Sequence, residues 1–184
     1  MKTEQQTAKR PDRRLFLKTS ATAAAGLSLA FYLPGRSDAS NTPRLNAWVE
    51  VLPNETVVIR YARTEMGQGS RTSAPQLVAE ELDADWSRVR VEYVPAHENL
   101  ASKRAYGDMA TVGSRTIRQS QDDLRNAGAT ARHLLVAAAA QQWGVPASDC
   151  TPSRGRVMHA ASKRSLTYGK LAEAAAKLEP PQEV

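Results

Sequence analysis

Between Tyr61 and Leu82 the chain reads YARTEMGQGSRTSAPQLVAEEL, and no other stretch narrows its possible folds as far. A β-branched run, Thr56-Val57-Val58-Ile59, leads into Tyr61 as a strand; Gly67 and Gly69 bracket Gln68 in a turn; a helical apolar pattern follows. Glycine at both positions lets the backbone take positive φ and approach another molecule closely. Ser70 or Thr72 is placed to cap the helix, whose first-turn N–H groups and aligned peptide dipoles suit an anion such as phosphate. Gln68 adds an amide donor and a carbonyl acceptor. A dinucleotide fingerprint would put Thr72 in place of its third glycine and Glu92 on the ribose, a poor fit.

Ahead of this unit, residues 1–39 read as a targeting leader. Lys9, Arg10, Arg13, Arg14 and Lys18 form a basic start, Ala21 to Leu33 is a short apolar run, and Ser37-Asp38-Ala39 supplies the small residues of a cleavage site. Asp12-Arg13-Arg14-Leu15-Phe16-Leu17-Lys18 resembles the twin-arginine signal, with Asp12 where Ser or Thr is usual. The expectation is export to the periplasm; an uncleaved leader would leave a membrane anchor. The formal charge of +6 belongs mostly to this leader, which holds seven Lys/Arg and three Asp/Glu. Taking these from the totals of 25 and 19 leaves 18 basic and 16 acidic residues, or +2, for residues 40–184. Arg115, Arg118, Arg125 and Arg132 are spread out with Asp122 and Asp123 among them, so no nucleic-acid surface is expected. Cys150 is the only cysteine; it excludes an intrachain disulfide and a multi-cysteine metal site, and it reads as structural.

The segment 40–184 is long enough for one domain with a modest core. Ala47–Val51 and Thr56–Tyr61 form a hairpin turned at Pro53-Asn54; Ala74–Leu82 is a helix; Val89, Val91 and Tyr93 alternate with Arg88, Arg90 and Glu92 as a third strand. Ala96 to Val112 reads as a long loop. It ends in Thr111-Val112-Gly113-Ser114-Arg115-Thr116, a second turn of small hydroxylated residues before a long helix, repeating the physics of the first. That helix opens near Ser114 to Ser120 and runs to Trp143, with Gly128 and Ala137–Ala140 favouring close contact and Gly144-Val145-Pro146 ending it. Val157 and Leu166 flank a small hairpin, and Thr167 caps a last helix, Tyr168 to Leu178. His97, His133 and His159 stand apart from one another, and structural or solvent-facing roles are expected for them. No metal ligand set and no catalytic residue is assigned.

Taken together, Glu65-Met66-Gly67-Gln68-Gly69, the run Gln76 to Val89 (QLVAEELDADWSRV), Gly113-Ser114-Arg115, Leu124-Arg125-Asn126-Ala127-Gly128-Ala129, Trp143-Gly144-Val145-Pro146 and Leu166-Thr167-Tyr168-Gly169 resemble the xanthine oxidase/aldehyde oxidase family of molybdenum hydroxylases. The likeness is to the exported large subunits of the isoquinoline oxidoreductase and membrane-associated aldehyde dehydrogenase type, and covers nearly all of Asn46 to Leu178. It implies an α+β fold, a small mixed sheet with packed helices, as part of a molybdopterin-binding domain. It implies that Met66, Gly67, Gln68 and Gly69 contact molybdopterin cytosine dinucleotide, and that Thr111, Gly113, Ser114, Arg115 and Thr116 line it. Val112 stands where relatives commonly have a second glycine.

The resemblance also implies a larger enzyme. Relatives continue well past this length to a late glutamate that acts as base, and no acid here matches its motif. The expectation is therefore the N-terminal cofactor-binding segment of a subunit that oxidises an aldehyde or N-heterocycle with water as oxygen source, incomplete alone. Its implied partners are the remainder of that subunit or a complementary chain, an iron–sulfur small subunit and often a haem c subunit. The alternative from another class is a non-catalytic exported module that holds or assembles a partner subunit.

Overall fold

The computed structural model describes residues 45–181 and residue 184. The expected export leader, residues 1–39, lies outside them. The described part is α+β: five α-helices and two three-stranded sheets around a shared core.

The first sheet is mixed. Strands β1 (Val49–Val51) and β2 (Val57–Tyr61) pair antiparallel as the expected hairpin, and β3 (Val89–Tyr93) lies parallel to β2, so that Tyr61 is registered with Tyr93. Every residue of β2 is buried, as suits a central strand covered on both faces. Helix α1 (Ser70–Leu82) makes the crossover from β2 to β3 and buries Ala74, Val78, Ala79 and Leu82. The glycine turn thus sits where β2 hands over to α1, at the C-terminal end of a parallel pair.

Helix α2 (Ala96–Ala101) and the single turn α3 (Arg115–Arg118) precede the long α4 (Gln121–Trp143), which packs lengthwise on α1. Gly128 makes that approach possible: a Cβ there would lie 2.5 Å from the Val78 carbonyl oxygen and 2.8 Å from the Glu81 Cβ. As expected, α4 ends at a left-handed Gly144, whose N–H donates to the Ala140 and Gln141 carbonyls. The second sheet is an antiparallel meander of β4 (Cys150–Ser153), β5 (Arg156–His159) and β6 (Arg164–Thr167), followed by α5 (Tyr168–Ala175). Tyr168, Leu171, Ala172 and Ala175 form the buried stripe of α5.

Several boundaries differ from expectation. The run read as a loop from Ala96 opens with α2, whose one buried residue is the polar Asn99; its side chain donates to the Gly107 carbonyl and accepts from the Tyr106 N–H. α1 begins at Ser70 rather than Ala74, with left-handed Gly69 at the cap and no side-chain cap from Ser70 or Thr72. α4 is separate from α3, and the expected C-terminal hairpin carries a third strand, β4. Thr167 precedes α5, yet the cap is Glu55: its carboxylate accepts from Thr167 Oγ1 at 2.6 Å and from the Gly169 N–H at 3.0 Å. An acid at a helix N-terminus satisfies free N–H groups and opposes the positive end of the dipole.

Candidate functional site

Where β2 ends, Gly67 (φ 95°) and Gly69 (φ 76°) take the left-handed backbone that their sequence positions called for. The turn is laced by two side chains of its own. One oxygen of Glu65 accepts from the N–H of Gly67 at 2.7 Å and of Gly69 at 3.0 Å; the other accepts from the Arg71 N–H at 2.8 Å and the Ser70 hydroxyl at 3.4 Å. Gln68 accepts from the Met66 N–H at 2.6 Å and donates to the Thr64 carbonyl and to Ser70 Oγ. Ser70 is buried and shares a 2.6 Å hydrogen bond with Tyr61, so the turn is anchored to the last residue of β2. The first-turn N–H groups that the sequence left for an anion are therefore met in part by the chain's own carboxylate. Those bonds, the Arg71 N–H foremost, hold the Glu65 carboxyl below its ordinary range.

Arg63, on the same stretch, reaches the second turn. Its buried guanidinium donates to Asp108 at 2.8 Å, to the Ala110 carbonyl and to Ser120 Oγ at 3.3 Å. The Thr64 N–H donates to Thr111 Oγ1 at 2.9 Å, a direct staple between the turns. Asp108 also takes Arg115 at 2.9 Å. Its carboxyl is held below the ordinary range by the Ala110 N–H, then by Arg63 and Arg115. Gly113 and Ser114 are both left-handed, whereas Val112 is not among the positive-φ residues; its side chain stands in solvent.

Between the turns lies a cleft of about 450 Å³ lined by Met66, Gln68, Ser70, Ser73, Thr111, Ser114, Thr116 and Ile117. That volume is within the range of small-molecule sites, ~300 to 1,000 Å³. Of the nine residues singled out in the sequence, Met66, Gln68, Thr111, Ser114 and Thr116 line it together. Gly67, Gly69 and Gly113 shape its rims without lining it, and Arg115 is paired to Asp108. Ser70, Ser73 and Ile117 were missed, although all three fall on helix faces next to the two turns. No carboxylate lines the cleft: five hydroxyls, the Met66 thioether and the Ile117 side chain do, while the Gln68 amide on its wall is engaged within its own turn, so the cleft offers a ligand hydroxyl groups beside apolar surface. Among the described residues no group of three or more His, Cys, Asp or Glu is placed to hold a metal ion. His97 and His133 are exposed, and His159 is buried with Nδ1 against Ser162 Oγ at 2.7 Å.

The chain is similar to known proteins in sequence and in fold. The family model described as a molybdopterin cofactor-binding domain matches residues 2–184. Isoquinoline 1-oxidoreductase subunit beta of Brevundimonas diminuta is 40% identical over 169 residues, covering 88% of this chain and 22% of that protein. The membrane-bound aldehyde dehydrogenase [pyrroloquinoline-quinone] of Gluconacetobacter polyoxogenes is 29% identical over 171 residues, covering 86% and 21%. The chain thus spans about a fifth of the length of these curated relatives. In fold it is similar to the reconstituted CO dehydrogenase of Oligotropha carboxidovorans, with TM-score 0.55 and 23% identity, over 72% of this chain and 16% of that one. With the family model matched along nearly the whole sequence and both glycine turns on one cleft, the chain belongs to the molybdopterin cofactor-binding domain family, in the xanthine oxidase line of molybdenum hydroxylases.

Proposed function

We propose that this chain binds molybdopterin cytosine dinucleotide as part of an exported molybdenum hydroxylase that oxidises an aldehyde or an N-heterocycle. The observation that carries the reading is the meeting of two turns, 47 residues apart at Thr64 and Thr111, on one hydroxyl-lined cleft. Bound there, the cofactor supplies the redox chemistry, and this chain's part is to hold and orient it. Thr111, Ser114 and Thr116 offer hydroxyls, Met66 offers an apolar contact, and Gly67, Gly69 and Gly113 allow the backbone its tight course. No residue here is given the role of catalytic base. An iron–sulfur subunit and a haem c subunit fit as electron acceptors, and the twin-arginine pattern at Arg13-Arg14 fits export of a cofactor-loaded protein.

The test is Ser114→Glu, which sets a negative charge into a cleft proposed to take an anionic cofactor. The chain, assembled with its partner polypeptides in a host that makes the cofactor, should retain several-fold less molybdenum and pterin at unchanged helix content. Full retention of both would overturn the assignment, and pyrroloquinoline-quinone in place of pterin would replace it. Export is tested separately: Arg13→Lys with Arg14→Lys should leave the protein in the cytoplasm.

A further inference from the structure

Glu65 stands outside the residues so far given to the site, yet three backbone N–H groups of the turn converge on it. A loop with two glycines at positive φ loses more conformational freedom on ordering than most, so its shape depends on what ties it down. Here the ties are hydrogen bonds from neutral donors to an ionised carboxylate, stronger than neutral pairs. Gln68 completes the lacing: its carbonyl and both amide hydrogens are engaged within the stretch Thr64 to Ser70. Glu65 does not line the cleft, whereas Met66 beside it is 69% exposed and does.

We infer that Glu65 is a positioning residue of this site: its carboxylate holds the N–H groups of Gly67, Gly69 and Arg71, and so fixes the turn that presents Met66 to the cofactor. It follows, given the function proposed above, that the cofactor meets Met66 and the hydroxyl wall while these three amides stay with the chain's own carboxylate. A role through the backbone in this way differs from general structural support, because it assigns a particular oxygen to particular amides.

The experiment is residue-resolved amide hydrogen exchange on the full chain, paired with cofactor content in the assembled protein. Glu65→Ala removes both acceptor oxygens, and exchange at Gly67, Gly69 and Arg71 should rise by about tenfold or more, as suits the loss of one hydrogen bond to a charged acceptor at each. Glu65→Gln keeps one carbonyl oxygen for the two glycines and turns an NH2 group toward Arg71, so Arg71 alone should be freed. Amides of Val78 to Leu82 should exchange as before in both variants. If the alanine variant loses that helix protection as well, the glutamine variant carries the comparison. Unchanged exchange at all three amides, or equal release of all three in Glu65→Gln, overturns the inference.

Cofactor content should fall in the order wild type, Glu65→Gln, Glu65→Ala. Retention at the wild-type level in Glu65→Ala, with loss in Ser114→Glu, overturns the positioning role and leaves the proposed function standing. Retention in Ser114→Glu removes the proposed function and this inference with it.

Discussion

Gly128 of α4 lies against the main chain of Val78 in α1, with 2.5 Å between the place of a Cβ and the carbonyl oxygen. In an isolated helix Gly→Ala adds about 1 kcal/mol of stability. Here the added methyl meets a backbone carbonyl and the Glu81 Cβ at 2.8 Å, neither of which can swing aside. Overpacking of this kind costs about 1–3 kcal/mol. Net of that gain, Gly128→Ala should lower stability by about 1 kcal/mol, and by no more than about 2, in urea unfolding, and it should push on α1, which follows directly on the glycine turn. A variant as stable as wild type would mean that the two helices separate freely.

Tyr168 and Leu82 join the second half of the chain to the first. The Tyr168 hydroxyl donates to the Leu82 carbonyl at 2.8 Å, in the last turn of α1, where carbonyls lack helical partners. Burial pushes this phenol well above its ordinary value, so it remains a donor at any physiological pH. Tyr168→Phe keeps the ring in the core and takes away the donor. The cost should be about 1–3 kcal/mol, that of leaving a buried carbonyl unmet, with the Tm lowered and the far-ultraviolet spectrum unchanged.

What could be read from the sequence followed from local chemistry. The course β2, turn, α1, β3 was legible because β-branched alternation, paired glycines and a helical stripe each act within a few residues. Gly113-Ser114 was legible for the same reason, as was the glycine end of α4. The missed parts depend on contacts distant in sequence. Glu55 caps α5 from 112 residues away, and Arg63 ties a loop 45 residues on. Strand β4 has Pro152 and one buried residue, Cys150, so no alternation marks it. In α2 the buried residue is an asparagine held by main-chain partners, and no apolar period betrays the helix. Glu65 was visible as part of a motif, but its bonds to three backbone amides were not.

Asp108 gives the site a pH dependence whose direction follows from its partners. The Ala110 N–H, Arg63 and Arg115 all favour its ionised form, and its folded-state pKa is depressed. The contribution is therefore complete above the unfolded value, about 3.9, and is lost as pH falls through the lower folded value. At pH 5 the Arg63–Asp108–Arg115 link should be intact, and it should be released only as the pH falls through the depressed folded value, below that of a free aspartate. The carboxyl carbon of Asp108, followed by NMR, should titrate below a free aspartate, and Asp108→Asn should abolish that transition. A midpoint at or above the ordinary value would mean that the two arginines do not engage it in solution.

Thr111 decides whether the two turns act as one site. Its Oγ1 accepts from the Thr64 N–H at 2.9 Å while the residue itself lines the cleft. Thr111→Val keeps the shape and removes the acceptor, leaving the Thr64 amide to water or to nothing. Because this part of the chain is exposed, the loss of stability should be small, under about 1 kcal/mol. The loss of cofactor should be larger than that of stability, since a shift of one turn against the other misplaces Met66 relative to Ser114 and Thr116. Thr111→Ser restores the oxygen without the methyl and should recover retention, whereas a Val variant that holds molybdenum as wild type does would show that the turns are kept together by Arg63 alone.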